Sequence, residues 1–212
     1  MERLAIFDID FTLTKKETSI ELYKYMLKKN PSLVKHLPRH LVTLLLYGIK
    51  FYDEKKSKEA FLRFLDGVEE KQLQKIVKDF YREKLSTILY EDAINMIKKL
   101  KSEGYKVYLI SASGEFYLSE LYNIKEVDKI IGTRFKMENG VFKSLINGAN
   151  CKGEEKIKRL MEELKKDNIE VDFKNSLMFS DSLADLPLLN LVGKGYLINY
   201  KGKHELEILR WK

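Results

Sequence analysis

The chain holds few of the residues that staple or ligate. Its 212 residues include one cysteine, Cys151, three prolines and three histidines. One cysteine excludes an internal disulfide framework and fits a reducing compartment. His36, His40 and His204 are scattered and propose no metal site. A membrane-spanning helix needs roughly 20 apolar residues, and the longest apolar stretch, near Leu41–Leu46, is far shorter. Met-Glu-Arg runs straight into an apolar segment, without a signal-peptide pattern. Internal repeats and low-complexity tracts are absent. A cytoplasmic protein without membrane association is the expectation.

Charge is plentiful and mixed. Lysine and arginine number 39 against 32 acidic residues, a formal net charge of +7. The signs interleave, as in Lys55-Lys56-Ser57-Lys58-Glu59 and Lys152-Gly153-Glu154-Glu155-Lys156. That pattern reads as a solvated Lys/Glu surface rather than a nucleic-acid face. It is also compatible with a heat-adapted source. A mildly positive field would help attract an anionic substrate.

Periodicity divides the chain. Arg3–Asp8 reads as a short buried parallel strand. From about 18 to 85 four apolar stripes at helical spacing follow without a strand between them. They are Ile20–Leu27, Leu33 to Leu45, Phe61–Leu65 and Leu73–Phe80. Asn30-Pro31, Gly48 and Asp66-Gly67 punctuate them. Beyond about 90 strands and helices alternate, with strands at Tyr105–Ser111, Lys129–Arg134, Ser176–Ser180 and finally Tyr196–Ile198. Glu138-Asn139-Gly140 signals a hairpin turn. The expected fold is α/β, a Rossmann-like parallel sheet core with an inserted helical-bundle cap. The core takes residues 1–14 and 86–212, and the cap 15–85.

Such sheets carry their sites beyond the carboxyl ends of the strands. Three strand ends hold polar pairs: Asp8 and Asp10, Ser111 and Ser113, Asp181 and Asp185. One sheet would bring all three together. Asp8-Ile9-Asp10-Phe11-Thr12-Leu13-Thr14 resembles the first motif of the haloacid dehalogenase-like hydrolase superfamily. Leu109-Ile110-Ser111-Ala112-Ser113 resembles its second. Phe179-Ser180-Asp181-Ser182-Leu183-Ala184-Asp185 resembles the fourth, with Ser180 where glycine is common. The cap position matches the C1 type of subfamily IB, the phosphoserine phosphatase-like members.

This resemblance implies a Mg²⁺-dependent phosphatase that hydrolyses a small phosphorylated metabolite through an aspartyl-phosphate. A carboxylate nucleophile splits a very slow hydrolysis into two steps. Asp8 is the expected nucleophile and Asp10 the general acid and then base. Asp8, Asp181 and the Asp10 carbonyl would hold Mg²⁺, which takes one or two carboxylates among oxygen ligands. Ser111, with the amides of Ala112 and Ser113, would bind phosphate. The required lysine is Lys156 or Lys152, with Lys156 favoured. Asp185 would bind a metal water or hold that lysine. Thr12 orders the motif loop. Glu17 and Arg63 are candidates to read the substrate's body, Glu17 doubling as a helix cap. Junctions at Thr14–Glu17 and Ser86–Glu91 are expected hinges for cap motion. A phosphotransferase or mutase using the same intermediate, or a non-catalytic module on the same fold, are the alternatives.

Overall fold

Leu4–Phe7 forms the first strand, β1, and all of its side chains are buried. An unbroken apolar run is what a strand covered on both faces requires. Its parallel neighbours are β2 (Lys106–Gly114) and β6 (Leu177–Ser180). The structure is a computed structural model that describes residues 1–36, 38, 42–43, 48 and 53–212.

The sheet runs β3 (Val127–Thr133), β2, β1, β6, β7 (Lys194–Ile198), β8 (Glu207–Leu209), with every pairing parallel. The chain builds outward from β1 to β3, then returns beside β1 and builds the other way. β1 and β6 therefore flank the switch point, where a crevice opens at their carboxyl ends. Strand β8 corrects the expectation that Tyr196–Ile198 is the last. Too short to announce itself in sequence, it is held at the edge by β7 and by a 2.9 Å Lys194–Glu207 ion pair.

The pleat of β1 sorts the core. Ala5 and Phe7 face α4 (Glu91–Ser102), while Leu4 and Ile6 face α6 (Glu154–Lys166) and α7 (Leu186–Leu191). Phe7 stacks on Phe179 at 4.5 Å, and Phe179 on Tyr196 at 4.9 Å, an aromatic ladder across three neighbouring strands. This rigid centre lies directly beneath the crevice.

Between β1 and α4 the described residues form α1 (Thr18–Lys29), α2 (Glu54–Phe61) and α3 (Glu70–Glu83), with 3₁₀ turns at Pro31–His36 and Leu62–Leu65, and the short α5 (Glu115–Leu118) follows β2. The expected Leu33–Leu45 stripe lies largely outside the described residues. Leu33 itself is buried, on the first 3₁₀ turn. Strands β4 (Phe135–Glu138) and β5 (Val141–Ile146) form an antiparallel hairpin. Its Asn139-Gly140 turn has φ of 52° and 74°, the left-handed pair expected of Asn-Gly.

That hairpin reaches the inserted helices. Gly67 N donates to Phe142 O at 3.1 Å, and Phe142 N to Val68 O at 2.9 Å. One apolar cluster joins Leu22, Leu62 and Phe80 of the insert to Phe7, Leu109 and Tyr117 of the core. The two junctions also pair with each other: Lys15 N donates to Ile88 O at 2.7 Å and Tyr90 N to Leu13 O at 2.9 Å. Swinging the insert about them would expose that apolar cluster to water. The packing therefore argues against hinges at Thr14–Glu17 and Ser86–Glu91. Among the described residues, no helix is long and apolar enough to cross a membrane.

Candidate active site

Asp8 follows the last residue of β1, and its amide still donates to Phe179 O of β6 at 2.9 Å. The strand ladder thus fixes its backbone one residue beyond the strand. Helix α6 brings Lys156 over it from the opposite layer. Lys156 Nζ donates to Asp8 Oδ1 at 2.6 Å and to Asp185 Oδ2 at 2.7 Å. Ser180 Oγ donates to the same Asp185 oxygen at 2.8 Å. Lys156 and Asp185 are 2% and 3% exposed, so both charges have left bulk water. The Ser180 that replaces a common glycine thus supplies a hydroxyl that helps hold Asp185.

Electrostatics follow from this burial. Burial alone would lower the Lys156 pKa, yet the Asp8 and Asp185 carboxylates outweigh it and hold the ammonium charged. Burial pushes Asp8 up to about 7, against the opposing pull of Lys156. Asp181 is pushed up to about 6, by burial first and then by the charge of Asp185.

Asp10 lies two residues on, where the chain turns toward α1. Its carboxylate accepts from Thr18 N at 2.6 Å, from Ser113 Oγ at 2.6 Å and, more weakly, from Ser111 Oγ at 3.5 Å. The first amide of α1 and the end of β2 thereby aim the second carboxylate. Thr12 Oγ1 accepts from Asp181 N at 2.7 Å and lies 3.4 Å from Asp181 Oδ1. It ties the loop after β1 to the loop after β6. Ser111 Oγ accepts from Ser113 N at 3.0 Å, so its own proton points away from that amide, toward the weak 3.5 Å contact with Asp10 Oδ2.

The Lys156 ammonium bridges Asp8 and Asp185, while Asp10 acts electrostatically on Asp8 and Asp185 on Asp181, so four carboxylates share one neighbourhood. That excess of hard, anionic oxygen fits a small divalent cation. Among the described residues no three His, Cys, Asp or Glu side chains form a ready cage. A cage is not what Mg²⁺ needs, because it keeps several waters and binds through one or two carboxylates. Asp8 and Asp181, which follow the adjacent strands β1 and β6, are the carboxylates that could serve as such a pair. A cleft of about 530 Å³, lined by Phe11, Tyr90 and Tyr200 among others, opens beside Asp181.

A second cavity, of about 420 Å³, opens between the insert and the Ala112 end of β2. Glu17, Ile20, Lys58, Phe61, Asn150 and Lys152 are among its lining residues. Glu17 also caps α1, accepting from Ile20 N at 2.8 Å and Ser19 Oγ at 2.6 Å. Lys152 does not approach Asp8; at the cavity rim it pairs with Glu54 of α2 at 2.5 Å. Arg63 is a correction. Helix α2 ends at Phe61, and the following turn buries Leu62, Phe64 and Leu65, which leaves Arg63 exposed and outside the cavity lining. The cavity's cation from α2 is Lys58, which the sequence reading missed. The signal was there: Glu54, Lys58 and Phe61 share one face at i, i+4 and i+7. Cys151 is buried on the far face of the sheet, where burial pushes its thiol up to about 11.

The model of the haloacid dehalogenase-like hydrolase family matches residues 5–190, and the chain belongs to that family. It is 26% identical over 200 residues to the phosphoserine phosphatase of Archaeoglobus fulgidus, covering 94% of this chain and 53% of the relative. It is 26% identical over 217 residues to the histidinol-phosphatase of Neisseria meningitidis, covering 98% and 95%. A solved protein of unknown function from Bordetella pertussis shares the fold, with a TM-score of 0.88 at 19% identity and 99% and 98% coverage.

Proposed function

We propose that the protein is a Mg²⁺-dependent phosphatase that hydrolyses a small phosphate monoester through a phosphoryl group carried on Asp8. The single observation behind this is the buried Lys156 ammonium bridging Asp8 and Asp185, with Asp10 aimed by Thr18 and Ser113. A free carboxylate oxygen of Asp8 attacks phosphorus, and the ester oxygen leaves. Asp10 gives that oxygen a proton, then takes one from the water that cleaves the aspartyl-phosphate. Lys156 offsets the negative charge gathered around Asp8. Ser111, its oxygen occupied by the Ser113 amide, donates its proton to a phosphate oxygen. Mg²⁺ bound by Asp8, Asp181 and the Asp10 carbonyl would supply the positive charge that lets a carboxylate approach a dianionic phosphate.

The substrate's body belongs in the 420 Å³ cavity. Its wall carries both charge signs beside Ile20 and Phe61, which supports a small polar alcohol bearing an ionised group as leaving group. Lys58 is the cation placed to read an anionic substituent, with Glu17 available for an amine. The two phosphatase relatives differ in named substrate, and both substrates are phosphate esters of small amino-bearing alcohols. The test is phosphate release from para-nitrophenyl phosphate with Mg²⁺, then from a panel of phosphorylated metabolites. Asp8→Asn is expected to abolish release. A wild-type protein that releases no phosphate from any of them, with any divalent cation, would contradict the proposal.

A further inference from the structure

Four segments of chain meet at one backbone carbonyl outside the acid cluster. Ala112 O, in the middle of the phosphate loop, accepts from Thr133 Oγ1 at 2.6 Å and from Lys58 Nζ. Thr133 ends β3 and is fully buried. Its hydroxyl also accepts from Cys151 N at 3.1 Å and lies 3.1 Å from Asn150 Oδ1. A hydroxyl has one proton. The shorter contact assigns it to Ala112 O, and Lys58 then satisfies Asn150 Oδ1. β3 can come this close because of Gly132, where a Cβ would lie 2.9 Å from Ser113 O and from the Glu115 backbone.

The consequence lies on the other side of the peptide. Ala112 C=O and Ser113 N–H belong to one planar trans unit and point in opposite directions. Fixing the carbonyl therefore fixes the amide, and that amide donates to Ser111 Oγ at 3.0 Å. With one of its two lone pairs engaged by that amide, Ser111 turns its proton to the other side, where an incoming phosphate oxygen would displace the weak 3.5 Å contact with Asp10 Oδ2. We infer that Thr133 is a positioning residue for phosphate binding, acting through the Ala112–Ser113 peptide to set the direction of the Ser111 hydroxyl. Lys58, from the inserted helices, is the second clamp on the same carbonyl. Occupancy of the cavity is thereby linked to the geometry of the phosphate loop. This inference rests on the phosphatase reading.

The test compares Thr133→Val, which keeps the shape and loses the hydroxyl, with Thr133→Ser, which keeps the hydroxyl. Inhibition by inorganic phosphate and turnover of para-nitrophenyl phosphate are measured for both and for the wild type. Thr133→Val is expected to bind phosphate about tenfold more weakly, the cost of one lost hydrogen bond, while Thr133→Ser stays within about twofold. A merely structural role would lower the melting point of Thr133→Val and leave its phosphate affinity intact. That result, or equal losses in both variants, would overturn the inference. Amide hydrogen exchange at Ser113 is read in the same three proteins. It should speed up in Thr133→Val alone, and unchanged exchange would also overturn the inference. If wild-type protein proves inactive, the phosphatase reading fails, and this second readout still decides whether Thr133 holds the loop.

Discussion

Replacing Lys156 with methionine removes one charge from the most buried ion pair of the site. Lys156 Nζ makes bonds of 2.6 and 2.7 Å to two carboxylates, and its side chain is 3% exposed. Methionine fills the stem's volume but leaves Asp8 and Asp185 facing each other without a cation. Breaking a buried pair from one side costs about 3–5 kcal/mol, mostly because the remaining charge is stranded. For a chain of this length each kcal/mol shifts the melting point by about 2–4 °C. Lys156→Met should therefore melt about 6–20 °C below wild type in the presence of a chelator. The assay is urea or thermal unfolding, followed by a cycle with Asp185→Leu. Lys156→Met combined with Asp185→Leu should recover part of the loss, because one stranded carboxylate is gone. A single variant within about 1 kcal/mol of wild type, or a double variant whose losses simply add, would show that Lys156 does not hold Asp8 and Asp185 together.

Lys58 should make the protein pH-sensitive. Burial pushes its pKa from 10.5 down to about 8, against the pull of Asp10, Glu17 and Glu54, with Lys152 lining the same cavity. The ammonium is present below about pH 8 and is lost as pH rises through it. KM for an ester with a second anionic group should rise above that pH in wild type. In Lys58→Met it should be high throughout. Between about pH 8 and 10.5 the unfolded chain holds a proton that the folded one has released, so stability should rise with pH there. Chemical unfolding of Lys58→Met should lack that rise. Arg63→Ala should leave KM unchanged and stability within about 0.5 kcal/mol, as for an exposed residue outside the cavity; a KM increase would return Arg63 to the site. Ser180→Gly should cost about 1 kcal/mol by removing the 2.8 Å bond to Asp185, and denaturant midpoints will show it.

What could be read in the sequence tracks what is local. The buried run Leu4–Phe7 and the Asn139-Gly140 turn each carry their cause within a few residues, so both were legible. The crevice was legible too, because a parallel sheet gathers strand ends wherever its polar pairs fall. Lys156 stood out beside Lys152 only through the family pattern. What separates them in space is the position of Lys156 inside helix α6, two residues past its start. Lys58 was hidden because its role depends on how α2 lies against Ala112 and Asn150, a long-range contact without a local signature. Arg63 failed for a related reason: the tightening of α2 into a 3₁₀ turn rotates it outward. The junctions carry no local sign of being fixed: the β4–β5 hairpin and the shared apolar cluster that hold the insert are long-range contacts, which a linear pattern does not display.

If Asp8 carries the phosphoryl group during turnover, the covalent intermediate can be trapped. Wild-type protein mixed with Mg²⁺ and a turned-over phosphate ester is quenched in acid during steady state, digested and weighed by mass spectrometry. One added phosphoryl group is expected on the peptide containing Asp8, and none in Asp8→Asn. Active enzyme with no phosphorylated Asp8 under rapid quench, or an Asp8→Asn variant that still turns over, would contradict that role for Asp8.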